Sequence, residues 1–415
     1  MERLTPDLIL DVFSRLPLIF LIRARCVSKS WHTIVSDPIL STLRIQLSLT
    51  TNILTDAIVL TCSNDIPGNQ LYFVEGEPNY PIVKKIDLSF IYGTGQFLLS
   101  VVGVCNGLLC LTTYPTFPGR SFMDTIDTLK YICLLNPITG EHKQLPIFDR
   151  PSCFMSNMTS LCCFGVNYSQ PMRILTSLCC FGFDGSQRVF KVAIFVFYGN
   201  HSRDVTSSAV DAFKDMTTEM YVYTLGSSNL WRKTVGNVPT MLYYYHANAS
   251  NVFASGSLHW ISATPVNSSE FKRHIVSFNL GYENFSVIKP PEVVVVERSV
   301  NCYALAVLEN CLSWVDVNHE DFVDIWLRRS DNGVESWIKH FSLQKELIAP
   351  CFYGIVQPIK LRENGDLLLL HSGHFIVYNA QRNMCEFIEI YEDPRVMGSA
   401  VEAFPYVGSF ISCLQ

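Results

Sequence analysis

The segment TSLCCFG occurs twice, at Thr159–Gly165 and Thr176–Gly182, and adjacent cysteines invite a metal or redox centre. Neighbouring residues on a strand project from opposite faces, so Cys162 and Cys163 do not chelate one ion easily. Neither copy contains a histidine, and the repeat reads as a local duplication that added a strand or loop. His371 and His374 have H-x-x-H spacing, but Gly373 lies between them on a strand-like segment, which reads as a surface turn. The run DVNHED (Asp316–Asp321) offers oxygen ligands yet lacks the glycine and glutamate at the sixth and twelfth positions of a calcium-binding loop. It reads as a solvated loop that could face a partner. GTGQFL at Gly93–Leu98 lacks the third glycine and the following helix of a dinucleotide loop. The chain contains no G-x-S-x-G, H-E-x-x-H or G-x-x-x-x-G-K-[ST] pattern. It reads as catalytically silent, not an enzyme, with no metal and no cofactor implied.

The elements that carry these residues belong to a folded chain with ample core material: 48% of its 415 residues are apolar and only 16% charged. Residues 1–44 hold Arg3, Arg15, Arg23, Arg25, Lys29 and Arg44 against Glu2, Asp7, Asp11 and Asp37. The remainder therefore holds 25 Lys/Arg against 33 Asp/Glu, more acidic than the whole-chain net charge of −6, and its acidic field disfavours nucleic acid. No apolar run approaches the ~20 residues of a membrane span, and no membrane insertion is expected. None of the 15 cysteines shows C-x-x-C spacing, which suits buried free thiols in a reducing compartment. No secretory leader is evident, so the six N-x-Ser/Thr sequons (Asn157, Asn167, Asn200, Asn248, Asn267, Asn284) read as chance. The expected location is cytoplasm and/or nucleus.

The first 40 residues read as three short helices. Thr5 and Pro6 suit the start of a helix, and Leu8, Ile9, Val12, Phe13 and Leu16 form its apolar face before Pro17 stops it. A second segment carries Leu18, Leu21, Ile22 and Cys26. A third starts at Ser28, presents Trp31, Ile34 and Val35, and ends at Asp37-Pro38. A unit this small is marginal alone, and its apolar supply exceeds what its own interior could use.

This stretch resembles an F-box, and most closely plant F-box sequences. The residues that carry the resemblance are Leu4, Pro6, Leu16-Pro17, the run from Leu21 through Arg23, Arg25-Cys26-Val27-Ser28-Lys29-Ser30 to Trp31, and then Ile34 and Asp37-Pro38. The resemblance implies docking onto the Skp adaptor of cullin-based ubiquitin ligases through Leu4, Pro6, Ile9, Leu16, Pro17, Leu21 and Val27. Leu8, Val12, Trp31 and Ile34 would hold the helices together. Ile19-Phe20 stands where the family usually has Lys-Ser, removing a helix cap worth about 1 kcal/mol. Ala24 replaces a common large aromatic.

From Ile53 onward short apolar strands alternate with Gly/Asn turns. Leu135, Tyr223, Phe278, Trp326 and Tyr378 occupy similar pre-turn positions. All but the first step are near ~50 residues, the period of a kelch-like blade, and such blades stack into a ring. The body resembles the F-box-associated domain of plant proteins through VCNGLLCL, LLNPITGEHKQLP, FGFDGSQRVFKV, VYTLGSSNLWRKT, GSLHWIS, SFNLGYENFSVI, VDIWLRR followed by SWIKHFSL, and VEAFPYVGSF. In QRVFKV the family's acids are missing, but Phe190-Lys191-Val192 remains.

The expected architecture is mainly β with a small α module. A three-helix F-box at 1–44 precedes a connecting segment and first blade at 45–98. An irregular kelch-like propeller of about six blades in all continues over 99–413. The resemblance implies a substrate-recognition subunit of a Skp-cullin-F-box ligase. Its partners would be the Skp adaptor, through it cullin and RING subunits, and an unidentified target protein. The Asn200–Thr217 loop and the 160s segment are candidate target-facing regions. A Skp-binding scaffold without a role in degradation stays open, as does a stand-alone propeller enzyme or lectin with a helical cap.

Overall fold

The computed structural model describes residues 5–51, 56–61, 70–75, 82–92, 97–115, 131–148, 172–201, 217–227, 229–234, 238–239, 251–265, 271–292, 303–349, 354–362, 364–388 and 400–414. Three helices open the chain: α1 (Pro6–Arg15), α2 (Leu18–Arg25) and α3 (Lys29–Val35). Thr5 has the extended backbone of a cap, but its hydroxyl makes no capping bond. Ser28 does cap, its Oγ accepting the Trp31 N–H at 3.2 Å. Asp37-Pro38 ends α3 but also starts a fourth helix, α4 (Pro38–Thr51), because proline suits a first helical turn. Asp37 Oδ1 accepts the Ile39 N–H at 2.8 Å there. This helix crosses the boundary expected at residue 44.

Six four-stranded antiparallel sheets follow. The first blade combines β1 (Asp56–Thr61), β2 (Gln70–Glu75) and β3 (Ile82–Lys85) with β24 (Ala400–Tyr406) from the other end of the chain. Asp56 pairs with Tyr406 and Leu60 with Glu402, so the two ends of the chain close the ring. The second blade holds β4 (Phe97–Cys105), β5 (Leu108–Pro115), β6 (Ile132–Leu135) and β7 (His142–Gln144). The third holds β8 (Met172–Asp184), β9 (Val189–His201), β10 (Thr217–Thr224) and β11 (Arg232–Lys233). The fourth runs through β12 (Asn251–Ala254), β13 (Ser257–Pro265), β14 (Phe271–Asn279) and β15 (Asn284–Ile288). The fifth comprises β16 (Tyr303–Leu308), β17 (Cys311–Asp316), β18 (Phe322–Asp331) and β19 (Val334–Gln344). The sixth comprises β20 (Gln357–Leu361), β21 (Leu367–His371), β22 (His374–Asn379) and β23 (Met384–Ile388). Two short helices, α5 (Ser89–Tyr92) and α6 (Lys345–Ile348), lie outside the sheets.

Burial follows position in the blade. Inner strands lie between neighbouring blades and are apolar on both faces: in β16 five of the six residues of YALAVL are buried. Outer strands such as β7 and β15 are mostly exposed. Leu135, Tyr223, Phe278, Trp326 and Tyr378 all fall on the third strand of successive blades. Trp326 is in mid-strand beside a bulge, and the turn comes later, at Asp331–Val334.

Within each blade direction alternates, so the hairpin turns after the first and third strands open on one face of the ring. The N-terminal helices α1–α4 sit on that face. The start of β1 pairs with the end of β24 there, and Tyr406 donates its hydroxyl to the Gly107 carbonyl in the β4–β5 turn at 3.1 Å. The connections between second and third strands, including Val317–Asp321, open on the opposite face. Among the described residues no helix is long and apolar enough to cross a membrane.

Candidate functional site

The helical unit has two apolar sides. One is spent on the ring: Phe13, Leu18, Leu21, Ala24, Val35 and Leu40 share a single cluster with Ile58, Leu71, Leu99, Leu109, Tyr406 and Phe410. Trp31 meets Phe13 edge to face with ring centroids 5.1 Å apart, and Ile34 packs on the same cluster. The other side remains uncovered among the described residues. Leu8 and Val12 form an i, i+4 pair on α1 and are 52% and 45% exposed. Ile19, Phe20 and Ile22 on α2, Val27 after it and Ile39 at the start of α4 are exposed as well. Exposed apolar residues gathered on one small module are a candidate interaction surface.

The structure divides the expected site residues between the two sides. Leu21, expected at a partner's surface, is fully buried, while Leu8 and Val12, expected inside, face out. Ile9 and Leu16 are half-buried against the inner cluster. Pro17 and Val27 are exposed. Leu4 lies outside the described residues, and of Pro6 only the backbone is described. Sequence reasoning missed Ile19, Phe20 and Ile39. For Ile19 and Phe20 the available signal was the apolar run Leu16–Ile22, which is too long for a single helical face.

Arg15 pairs with Asp11 one turn earlier at 2.9 Å, Arg23 lies over the Phe20 ring at 5.8 Å, and Arg25 lies over Phe410 at 4.7 Å. Arg44, buried in α4, donates to the carbonyl oxygens of Ser14 at 3.4 Å and Leu16 at 2.5 Å, closing the C-terminal end of α1.

The ring's candidate chemistry resolves into structure. Cys179 packs toward the second blade and Cys180 toward the fourth, so the two thiols diverge as strand geometry requires. The first TSLCCFG copy and most of the Asn200–Thr217 loop lie outside the described residues. Cys105, Cys110 and Cys133 have thiol pKa values pushed up by burial, which suppresses the reactive thiolate. His371 and His374 face each other across the β21–β22 turn. The buried His371 ring makes its contacts to the Ile355 carbonyl and the Ser372 hydroxyl. In the Asp316–Asp321 loop the cationic place is taken by Lys345 Nζ, which donates to the carbonyls of Val317 at 2.8 Å and His319 at 2.7 Å. Among the described residues no group of three or more His, Cys, Asp or Glu side chains could hold a metal ion.

Residues 1–42 match the F-box domain and residues 72–394 the F-box associated beta propeller domain. F-box protein At3g07870 of Arabidopsis thaliana is 26% identical over 400 residues, spanning 91% of this chain and 85% of that one. F-box protein CPR1 of the same species is 23% identical over 354 residues, spanning 83% and 74%. Likeness to solved structures is loose. Hydrazine synthase of Kuenenia stuttgartiensis aligns with 86% of this chain and 47% of its own at 9% identity and a TM-score of 0.40, too low to bear on function. With the propeller match spanning well over half of its length, the chain belongs to the F-box proteins that carry an F-box associated beta propeller domain.

Proposed function

We propose that this protein is the target-recognition subunit of a Skp-cullin-F-box ubiquitin ligase. The observation that carries the proposal is the apolar side of the F-box left open at Leu8, Val12, Ile19, Phe20, Ile22 and Val27 after its other side has been seated on the ring. A helical cap serving the propeller alone would need only the seated side. The open side suits the Skp adaptor, which would link the chain to cullin and RING subunits. The ring would hold a target protein, and cytoplasm and nucleus are where such a complex would act. The chain's contribution is then proximity: tethering raises effective concentration and orients an acceptor lysine, while bond-making groups lie on other chains.

We place target recognition on the ring face opposite the F-box. Support comes from the strand alternation, which sends the Val317–Asp321 connection there, with His319, Glu320 and Asp321 exposed. A docked adaptor and a docked target would then occupy opposite sides of the molecule.

The test is association with a plant Skp adaptor. Purified full-length chain should co-elute with the adaptor at micromolar concentration, and Val12→Asp should weaken the complex without lowering the melting temperature. Absence of association by the unaltered chain overturns the proposal.

A further inference from the structure

We propose that the C-terminal segment Val407–Leu414 is a splint that locks the F-box onto the ring in one orientation. The splint is fastened to the second blade first. Asn136, fully buried in the β6–β7 turn, donates from Nδ2 to the carbonyls of Ser409 at 3.0 Å and Ile411 at 2.8 Å. Its Oδ1 accepts the backbone N–H groups of Ile138 and Thr139, so one side chain satisfies both the turn and the tail. Ser409 Oγ donates to the Asn106 carbonyl at 2.9 Å. Gly107 has φ of 80°, and a Cβ there would stand 2.1 Å from Ser409 Oγ. The Asn-Gly turn between β4 and β5 therefore both reverses the chain and leaves room for the tail. Cys413 is buried in the cluster between the second and third blades.

The opposite side of the same eight residues holds the F-box. Gly408 lies against α2 so closely that a Cβ would come within 2.6 Å of Leu18 Cδ2 and 3.0 Å of Cδ1. Its backbone is outside the left-handed region, so the close approach to Leu18 accounts for glycine here. Phe410 fills the next place, its ring under the Arg25 guanidinium. The tail thus contacts α2 directly while hydrogen-bonded to two turns of the ring. The two ends of the chain close the first blade at β1–β24 and meet again here. F-box orientation is consequently fixed by the Val407–Leu414 segment, and the adaptor-facing side is held at a set angle to the ring.

The purpose of this geometry rests on the ligase reading; the geometry itself does not. The experiment uses full-length protein with dipolar distance labels at the exposed positions Lys29 on α3 and Gln381 on the β22–β23 turn. Wild type should give one narrow distance. Gly408→Leu should broaden it and raise amide exchange in α2 by about tenfold, leaving β4 and β5 unchanged. Adding Leu18→Ala, which makes space for the new side chain, should restore the narrow distance. Phe410→Ala keeps the Asn106 and Asn136 anchors and should also broaden it. A broad distance in wild type, or a narrow one in both Gly408→Leu and Phe410→Ala, overturns the proposal. Adaptor affinity, measured in parallel, should stay within about twofold of wild type in Gly408→Leu. Loss of adaptor binding in wild type itself would count against the ligase reading and leave the splint standing.

Discussion

Lys191 and Asp184 form an ion pair at 2.9 Å that is almost wholly removed from solvent, with side chains 2% and 1% exposed. Lys191 also reaches across to the fourth blade, to Glu283 at 3.1 Å and the Leu280 carbonyl at 2.7 Å. Arg232 binds the outer side of Glu283 at 2.6 Å. The Phe-Lys-Val signature thus supplies the ammonium that joins two neighbouring blades.

Replacing Lys191 with Met leaves two carboxylates facing each other without their shared cation. Breaking one partner of a buried pair costs about 3–5 kcal/mol, and the urea midpoint should fall accordingly. The pH dependence has a definite sign. Hydrogen bonds and cations hold the folded pKa values of Asp184 and Glu283 below the ordinary carboxylate range, against the opposing effect of burial. The stabilisation is therefore present above pH ~4.5 and lost as pH falls through the depressed values. The difference between wild type and Lys191→Met should shrink on acidification, and a difference independent of pH would refute the assignment.

Glu402 carries the opposite sign. It lies on the ring-closing strand β24, and burial pushes its pKa up to about 8. Such a group stays protonated and undemanding at low pH, and its cost grows as pH rises from the unfolded value near 4.5 through 8. The full span corresponds to about 5 kcal/mol. Glu402→Gln should match wild-type stability at pH 4.5 and exceed it at pH 8.5. Identical pH profiles for the two proteins would show that this carboxyl is not held neutral.

How much of this was legible in the sequence depends on range. Leu135, Tyr223, Phe278, Trp326 and Tyr378 announced the blades because each belongs to a hairpin, whose signals are local. The pairing of Leu60 with Glu402 left no such trace, since 342 residues separate them and both strands read alike. In the F-box the apolar surplus was visible, but not which side the ring would take. Helix α2 is apolar nearly all round from Leu18 to Ile22, so periodicity could not distinguish Leu21 from its neighbours. The choice was made by β24 and the tail, which bring Tyr406 and Phe410 to one side only. Asp37-Pro38 misled differently: it is both a stop for α3 and a start for α4.

Arg44 offers a test of how the F-box holds together. Its guanidinium reaches the Ser14 and Leu16 carbonyls from α4 and is 1% exposed. Arg44→Met keeps much of the side-chain volume but leaves the end of α1 without its donors, a loss of about 2 kcal/mol. Amide exchange should accelerate in α1 and stay unchanged in β16–β18. Uniform acceleration throughout the protein would instead tie Arg44 to global stability.

Leu21 and Val27 separate seating from docking. Both are apolar and close in sequence, yet Leu21 is fully buried and Val27 is 63% exposed. An aspartate at position 21 must bury a charge in the cluster shared with the ring, so Leu21→Asp should unseat or unfold the F-box at a cost of several kcal/mol, about 3 or more. An aspartate at position 27 stays in water, and Val27→Asp should change stability by no more than about 0.5 kcal/mol. If the open side receives the adaptor, Val27→Asp weakens that complex about tenfold or more, since a charge is then desolvated at an apolar interface. Melting temperature and adaptor affinity measured on the same two variants distinguish the roles. Wild-type adaptor affinity in Val27→Asp would remove this residue from the docking surface, and a stable, well-seated Leu21→Asp would contradict the packing of α2 against the ring.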